Sequence, residues 1–210
     1  LSALSRPLTK KYLLFLTRSW ARHLLWVSGV KVNIQGLENI PSSNRVAFVT
    51  NHQSYFDIPI LITSIPKLLG FIAKAELGKV PIINLWMKAM GCIFIERKKA
   101  SESLQKSRER IEQAKQGDPV VLFPEGTRSK GPRLGRFKTG SLQILFSTDL
   151  TIVPVSISGS YHLMEEKKKL QPGEVTVTFH SPIQGSKVND KNAKDVAHQL
   201  RKTIQDGLVL

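Results

Sequence analysis

The chain has 210 residues, 41% of them hydrophobic and 22% charged, which excludes a disordered chain and suits one domain with an ordinary core. Its 31 Lys plus Arg against 16 Asp plus Glu give a net charge of +15, which calls for nucleic acid, an anionic membrane or a phosphorylated metabolite as partner. The single cysteine, Cys92, excludes an internal disulfide and reads as a small buried side chain; the five histidines lack metal-ligand spacing, so no metal is expected.

Residues 1–30 carry Arg6, Lys10, Lys11, Arg18 and Arg22 with no acid, interleaved with Leu8, Tyr12, Phe15, Leu16, Trp20 and Trp26. Apolar, aromatic and basic groups at helical spacing predict an amphipathic interfacial helix. A helix packed on the protein's own core is the competing reading. No run of about 18 apolar residues is long enough to span a bilayer, and a start at Leu1 leaves room for a preceding anchor.

From residue 31 to 210 the pattern predicts one domain. Strands are expected at Val30 to Ile34, Val46 to Thr50, Gly70 to Ala73, Cys92 to Ile95, Val120 to Phe123, Thr151 to Ile157 and Val175 to Phe179. Helices are expected near Ile58 to Ile65, Pro81 to Met90, Ser101 to Gln116, Thr139 to Ser147 and Asp190 to Gln205. Such alternation indicates an α/β domain with a largely parallel central sheet flanked by helices. The run Glu174 to Phe179 alternates Val and Thr and reads as an exposed, antiparallel edge strand.

Two strand ends carry the chemistry. The first, Val46 to Thr50, runs into Asn51-His52-Gln53-Ser54-Tyr55-Phe56-Asp57, with Pro59 suited to a helical first turn. His52 is therefore at a carboxyl end, where open α/β sheets place ligands. Across a strand-to-helix bend Asp57 can accept a hydrogen bond from one imidazole nitrogen, leaving the other to take a proton from an alcohol. Alternatively, Asp57 only caps the helix and His52 is an incidental loop residue.

The second strand end is Phe123-Pro124-Glu125-Gly126-Thr127-Arg128-Ser129. Gly126 permits close backbone approach and Arg128 can grip phosphate through two parallel charged hydrogen bonds. Glu125 and Arg128 pairing across a surface turn is the alternative. Arg128, Lys130, Arg133, Arg136 and Lys138 follow without an acid, as an anion funnel or a solvated basic loop. Pro132-Arg133 after Gly131 excludes a nucleotide-binding P-loop, and no Gly-x-Ser-x-Gly elbow is present. Gly91-Cys92-Ile93-Phe94-Ile95-Glu96-Arg97 and Ile152-Val153-Pro154-Val155 complete the set, with Pro154 marking plain sheet core, a bulge or an edge.

These four segments, in this order, resemble the blocks of the glycerolipid acyltransferase family, particularly the 1-acylglycerol-3-phosphate acyltransferases, from about Asn51 to Val155. The resemblance implies His52 as general base and Asp57 as its orienting acid. It implies that Gly91, Phe94 and Arg97 form the second block, whose Arg contacts the acceptor phosphate. Glu125, Gly126, Thr127 and Arg128 match the block that binds the acceptor's glycerol phosphate, Lys138 in Phe-Lys-Thr-Gly looks phosphate-facing, and Pro154 matches a block near the acyl site, with Gly91 and Phe94 in the same vicinity. Glu96 stands where Asp is frequent in relatives.

The expected reaction is transfer of a fatty acyl group from acyl-CoA or acyl carrier protein to the sn-2 hydroxyl of 1-acyl-glycerol-3-phosphate, giving phosphatidic acid, with no cofactor and no metal. Another lysophospholipid or glycerol-3-phosphate is the alternative acceptor. The expected partners are lysophosphatidic acid, the acyl donor and a membrane surface with anionic lipids, not nucleic acid. The expected location is peripheral or monotopic on the cytoplasmic face of a membrane, the inner membrane if bacterial. A non-catalytic membrane-binding protein and a nucleic-acid-binding domain are the rivals outside the enzyme class.

Overall fold

Runs rich in Val, Ile and Phe form the strands of one sheet in a computed structural model of the chain, which describes residues 5–95, 118–146, 148–188 and 192–209. In chain order these comprise helix α1 (Ser5–Val27), strands β1 (Val30–Gln35) and β2 (Val46–Thr50), α2 (Asp57–Ser64), β3 (Gly70–Lys74), α3 (Pro81–Ala89), β4 (Ile93–Ile95) and β5 (Val120–Leu122). They continue with α4 (Thr139–Phe146), β6 (Thr151–Ser158), β7 (Gly173–Phe179), β8 (Ile183–Gln184) and α5 (Ala193–Asp206). The helix expected over 101–116 lies outside the described residues.

Among the described residues the sheet has eight strands in the order β1-β7-β6-β2-β5-β3-β4, with β8 also paired to β6. Strands β6, β2, β5, β3 and β4 are mutually parallel, while β7 and β8 run antiparallel to β6 and β1 runs parallel to β7. The sheet is therefore mixed. The link from β6 to β7 holds a 3-10 turn (Ser160–Leu163) and no crossover helix, so the chain returns antiparallel. Strand β7 is antiparallel and half-buried as its alternation indicates, with Val175, Val177 and Phe179 inside. It is not at an edge, because β1 pairs with it along its length, Val30 opposite Gly173 through Gln35 opposite Thr178.

Strand β2 is buried on both faces, as a central parallel strand must be. Val46 and Phe48 face a core built with α1 and α2, which includes Ala21, Leu25, Ile60 and Leu61. Ala47 and Val49 face a second core that includes Leu142, Leu145, Leu200 and Ile204 of α4 and α5. Pro154 sits inside β6 opposite Val49, so it marks sheet core. Its carbonyl accepts from the His180 N–H at 2.9 Å, on the β7 side. The missing N–H points to the same side, into the gap between the β8 ladder at Thr151 and Ile152 and the β7 ladder that begins at Val155, where no ladder bond is lost.

Helix α1 uses two stripes. Thr17, Ala21 and Leu25 recur every four residues and are buried, and Arg18 donates from Nη2 to the Thr63 carbonyl of α2 at 3.0 Å. Leu8, Tyr12, Phe15 and Trp26, spaced four, three and eleven, fall on the opposite side of a 3.6-residue helix and are exposed. The helix is thus apolar on both sides, one packed on the core and one open. No described helix is long and apolar enough to cross a membrane.

Candidate active site

Adjacent parallel strands β2 and β5 end side by side, Val49 opposite Leu122, so the loops that leave them meet. The exit from β2 is held by Asn51, whose buried amide donates to the Ile157 carbonyl and accepts from the Ile157 N–H, both at 2.8 Å. A side-chain amide thereby extends the β2–β6 ladder one position beyond Thr50, and the chain turns away at a defined point.

That turn brings His52 to Asp57. His52 Nδ1 lies 2.7 Å from Asp57 Oδ2. The same oxygen accepts the N–H groups of Gln53 at 2.7 Å and Ser54 at 3.0 Å. An oxygen already accepting two bonds can only accept a third, so Nδ1 carries the proton and the Nε2 lone pair is the basic one. The other oxygen, Oδ1, accepts from the Ser160 hydroxyl at 2.5 Å. Asp57 is fully buried in the first turn of α2 rather than at its cap, which is Phe56. The helix-cap alternative therefore does not describe it.

The β5 loop fixes the imidazole from behind. Glu125 is buried, and its Oε1 accepts the His52 N–H while Oε2 accepts the Gly135 N–H, each at 2.7 Å. Burial pushes the Glu125 carboxyl up, opposed by these two backbone bonds and by His52. A Cβ at Gly135 would collide with the Glu125 carboxylate, which accounts for glycine there. The Ser129 N–H donates to the His52 carbonyl at 2.7 Å, and the Phe123 ring stacks on the imidazole with centroids 4.1 Å apart. Gly126, at φ 70, adopts the left-handed conformation that turns the loop, and the Lys138 N–H returns to the Pro124 carbonyl at 2.9 Å.

Glu125 and Arg128 do not pair with each other. Arg128 Nη1 donates to Glu165 Oε1 at 3.0 Å, and its guanidinium lies 3.4 Å over the Tyr55 ring. A cavity of about 1330 Å³ takes in His52, Gly126, Thr127, Arg128 and Lys138 together with apolar residues that include Leu16 and Trp20 of α1, Ile58 and Ile62 of α2, and Ile82, Ile83, Trp86 and Met87 of α3. It exceeds the roughly 300–1,000 Å³ usual for drug-sized ligands and combines a polar end-group set with a long apolar wall. Cys92 also lines it; burial pushes its thiol up to about 11, and its Sγ accepts the Phe71 N–H.

Of the residues singled out in the sequence, His52, Asp57, Glu125, Gly126, Thr127, Arg128 and Lys138 are brought into one neighbourhood. Gly91 turns the chain between α3 and β4 at φ 74, Phe94 lies in β4 against Gly78, and Pro154 is in the sheet core; none of the three lines the cavity. Arg97 and Glu96 lie outside the described residues. Ser160, Glu165 and Gly135 were not singled out. Ser160 and Glu165 follow the carboxyl end of β6, the other parallel neighbour of β2, so the strand-end rule applied to β6 would have flagged them.

Residues 31–158 match the family model described as Acyltransferase. The chain is 37% identical over 186 residues to a chloroplastic 1-acyl-sn-glycerol-3-phosphate acyltransferase of Arabidopsis thaliana, covering 87% of this chain and 52% of that one. It is 35% identical over 193 residues to the Mycoplasma pneumoniae protein named probable 1-acyl-sn-glycerol-3-phosphate acyltransferase, covering 86% and 72%. The chain thus spans about half the length of the plant relatives it matches. The crystal structure of the Thermotoga maritima 1-acyl-sn-glycerophosphate acyltransferase PlsC superposes with a TM-score of 0.82 at 29% identity, over 96% of this chain and 80% of that one.

Proposed function

This chain belongs to the acyltransferase family, and from that premise we propose that it transfers a fatty acyl group from a thioester to the sn-2 hydroxyl of 1-acyl-glycerol-3-phosphate, giving phosphatidic acid. One observation carries the reading: an imidazole whose Nδ1 is held 2.7 Å from a buried carboxylate shares a cavity with Arg128, Lys138 and a long apolar wall. The names of its relatives in Arabidopsis, Mycoplasma and Thermotoga support the acceptor.

An alcohol is a weak nucleophile at neutral pH. In the proposed reaction His52 Nε2 takes the acceptor's hydroxyl proton as its oxygen attacks the thioester carbonyl. Asp57 holds the ring in the required tautomer and stabilises the imidazolium that forms. The C–S bond breaks, and the proton passes from His52 to the departing thiolate of coenzyme A or acyl carrier protein. No covalent acyl-enzyme and no cofactor are needed. Arg128, Thr127 and Lys138 would receive the acceptor's glycerol phosphate, with Arg97 assigned to the same phosphate by its match to the second block. Glu125, both of whose oxygens hold backbone N–H groups, would act by bracing the loop. The apolar wall would take acyl chain.

Trp20 of α1 and Ile82, Ile83 and Trp86 of α3 line this cavity and are also exposed at the surface, so an acyl chain can pass from a bilayer into the cavity without crossing water. Apolar stripes with Lys11 and Arg22 alongside suit an anionic leaflet, each basic residue adding on the order of 1 kcal/mol. The proposed location is the cytoplasmic membrane surface.

The test supplies 1-acyl-glycerol-3-phosphate with acyl-CoA or with acyl carrier protein thioester and measures phosphatidic acid formed. Turnover with at least one donor is expected. Absence of product with both donors in detergent micelles and in anionic vesicles would refute the proposed reaction.

A further inference from the structure

The turn after β6 points one acid inward. Met164 and Glu166 are exposed, whereas the Glu165 side chain is 4% exposed. The Glu165 and Glu166 N–H groups both fold back onto the Tyr161 carbonyl, at 3.0 and 3.1 Å, which fixes this direction. A buried carboxylate requires compensation. Oε1 receives it twice, from Arg128 Nη1 at 3.0 Å and from the Tyr55 N–H at 2.9 Å, while Oε2 is buried with no partner among the described residues.

We infer that Glu165 is a positioning residue that ties the arginine at the anion end of the cavity to the loop bearing the His52–Asp57 pair. This rests on the reading of Arg128 as the acceptor's phosphate ligand. Tyr55 lies between His52 and Asp57 in sequence, and its ring supports the Arg128 guanidinium at 3.4 Å. A single carboxylate oxygen therefore sets both the backbone of that loop and one corner of the guanidinium. The ring sets the guanidinium plane, and the Nε–Nη2 edge remains the one suited to two phosphate oxygens. Arg128 has long side-chain freedom that binding would otherwise have to remove, so preorganisation by Glu165 acts on acceptor affinity. The thioester makes no use of this contact.

The experiment compares wild type with Glu165→Ala, Glu165→Asp and Glu165→Gln. It measures KM for 1-acyl-glycerol-3-phosphate, KM for the acyl thioester, and the calorimetric Kd of glycerol 3-phosphate with no acyl donor. Glu165→Ala and the shortened but still charged Glu165→Asp should raise acceptor KM and glycerol 3-phosphate Kd by about tenfold or more, with donor KM unchanged, as loss of a charged hydrogen bond implies. Glu165→Gln keeps an accepting oxygen and should stay within roughly threefold of wild type. Unchanged Kd in the Asp and Ala variants, or equal rises in both KM values, would overturn the inference. If wild type transfers no acyl group while the Kd values respond as expected, the proposed reaction fails and the role of Glu165 stands; a wild type that does not bind glycerol 3-phosphate overturns both.

Discussion

The carboxylate of Glu125 grips the backbone of His52: Oε1 accepts the His52 N–H at 2.7 Å while Oε2 accepts that of Gly135. An acid from the end of β5 thereby sets the height of the imidazole at the end of β2. Three further contacts from the 123–129 and 160 segments complete the setting, from Phe123, Ser129 and, through Asp57, Ser160.

Replacing the base tests the chemistry first. His52→Ala and Asp57→Asn are each expected to lower kcat by about 10²–10⁴-fold, with the acceptor's KM little changed. Steady-state assays on folded variants check this, and near-normal turnover by His52→Ala would defeat the proposed mechanism.

Ser160→Ala should act through Asp57. Removing the donor at 2.5 Å leaves Oδ1 buried and unpartnered, a loss of about 1–3 kcal/mol. The expected outcome is a lower kcat with both KM values retained. Recovery by Ser160→Thr would mark the hydroxyl as the active group, and a wild-type kcat in Ser160→Ala would show that Asp57 needs no second support.

Glu125→Gln separates bracing from substrate contact. The amide places an NH₂ against one of two backbone N–H donors, so stability should fall by about 1–3 kcal/mol and kcat with it. Thermal melts and kinetics on one preparation decide. A raised acceptor KM with an unchanged Tm would instead make Glu125 a substrate ligand.

Membrane binding is expected to depend on the open stripe of α1. Phe15 and Trp26 are 66% and 77% exposed, so Phe15→Glu with Trp26→Glu should leave folding intact. Cosedimentation with anionic vesicles should drop by about tenfold or more, given roughly 1.5–3 kcal/mol for each large apolar side chain buried. Unaltered vesicle binding would assign the contact elsewhere.

Acid sensitivity should trace in part to His180. Its half-buried imidazole is held below the ordinary value of 6.5 by desolvation. The Ser156 hydroxyl donates to the Ile204 carbonyl and so accepts from His180 Nε2–H at 2.7 Å. A depressed folded value means that the neutral ring is favoured in the folded state. The stabilisation is fully present above pH 6.5 and is lost as pH falls through the folded value. His180→Gln should flatten the decline of Tm below pH 6.5, and an unchanged slope would place the acid sensitivity in other groups.

Much of this protein is legible from sequence because its signals are local. Alternation of β-branched runs with helical periodicity locates β2, β5 and β6 to within a residue or two, and the five-residue spacing of His52 and Asp57 lets a bend join them. What sequence could not supply depends on pairings distant along the chain. The interior place of β7, with β1 paired along its outer side, cannot be read from the alternation of β7 itself, and Pro154 fits an interior strand only because two ladder segments stop on either side of it. Glu125 becomes a brace, and Arg128 finds Glu165 in place of Glu125, because β2 lies between β5 and β6 and brings the ends of three strands together. Local propensity specifies each strand and its exit, whereas the order of strands, set by burial of both faces of the sheet, decides which side chains meet.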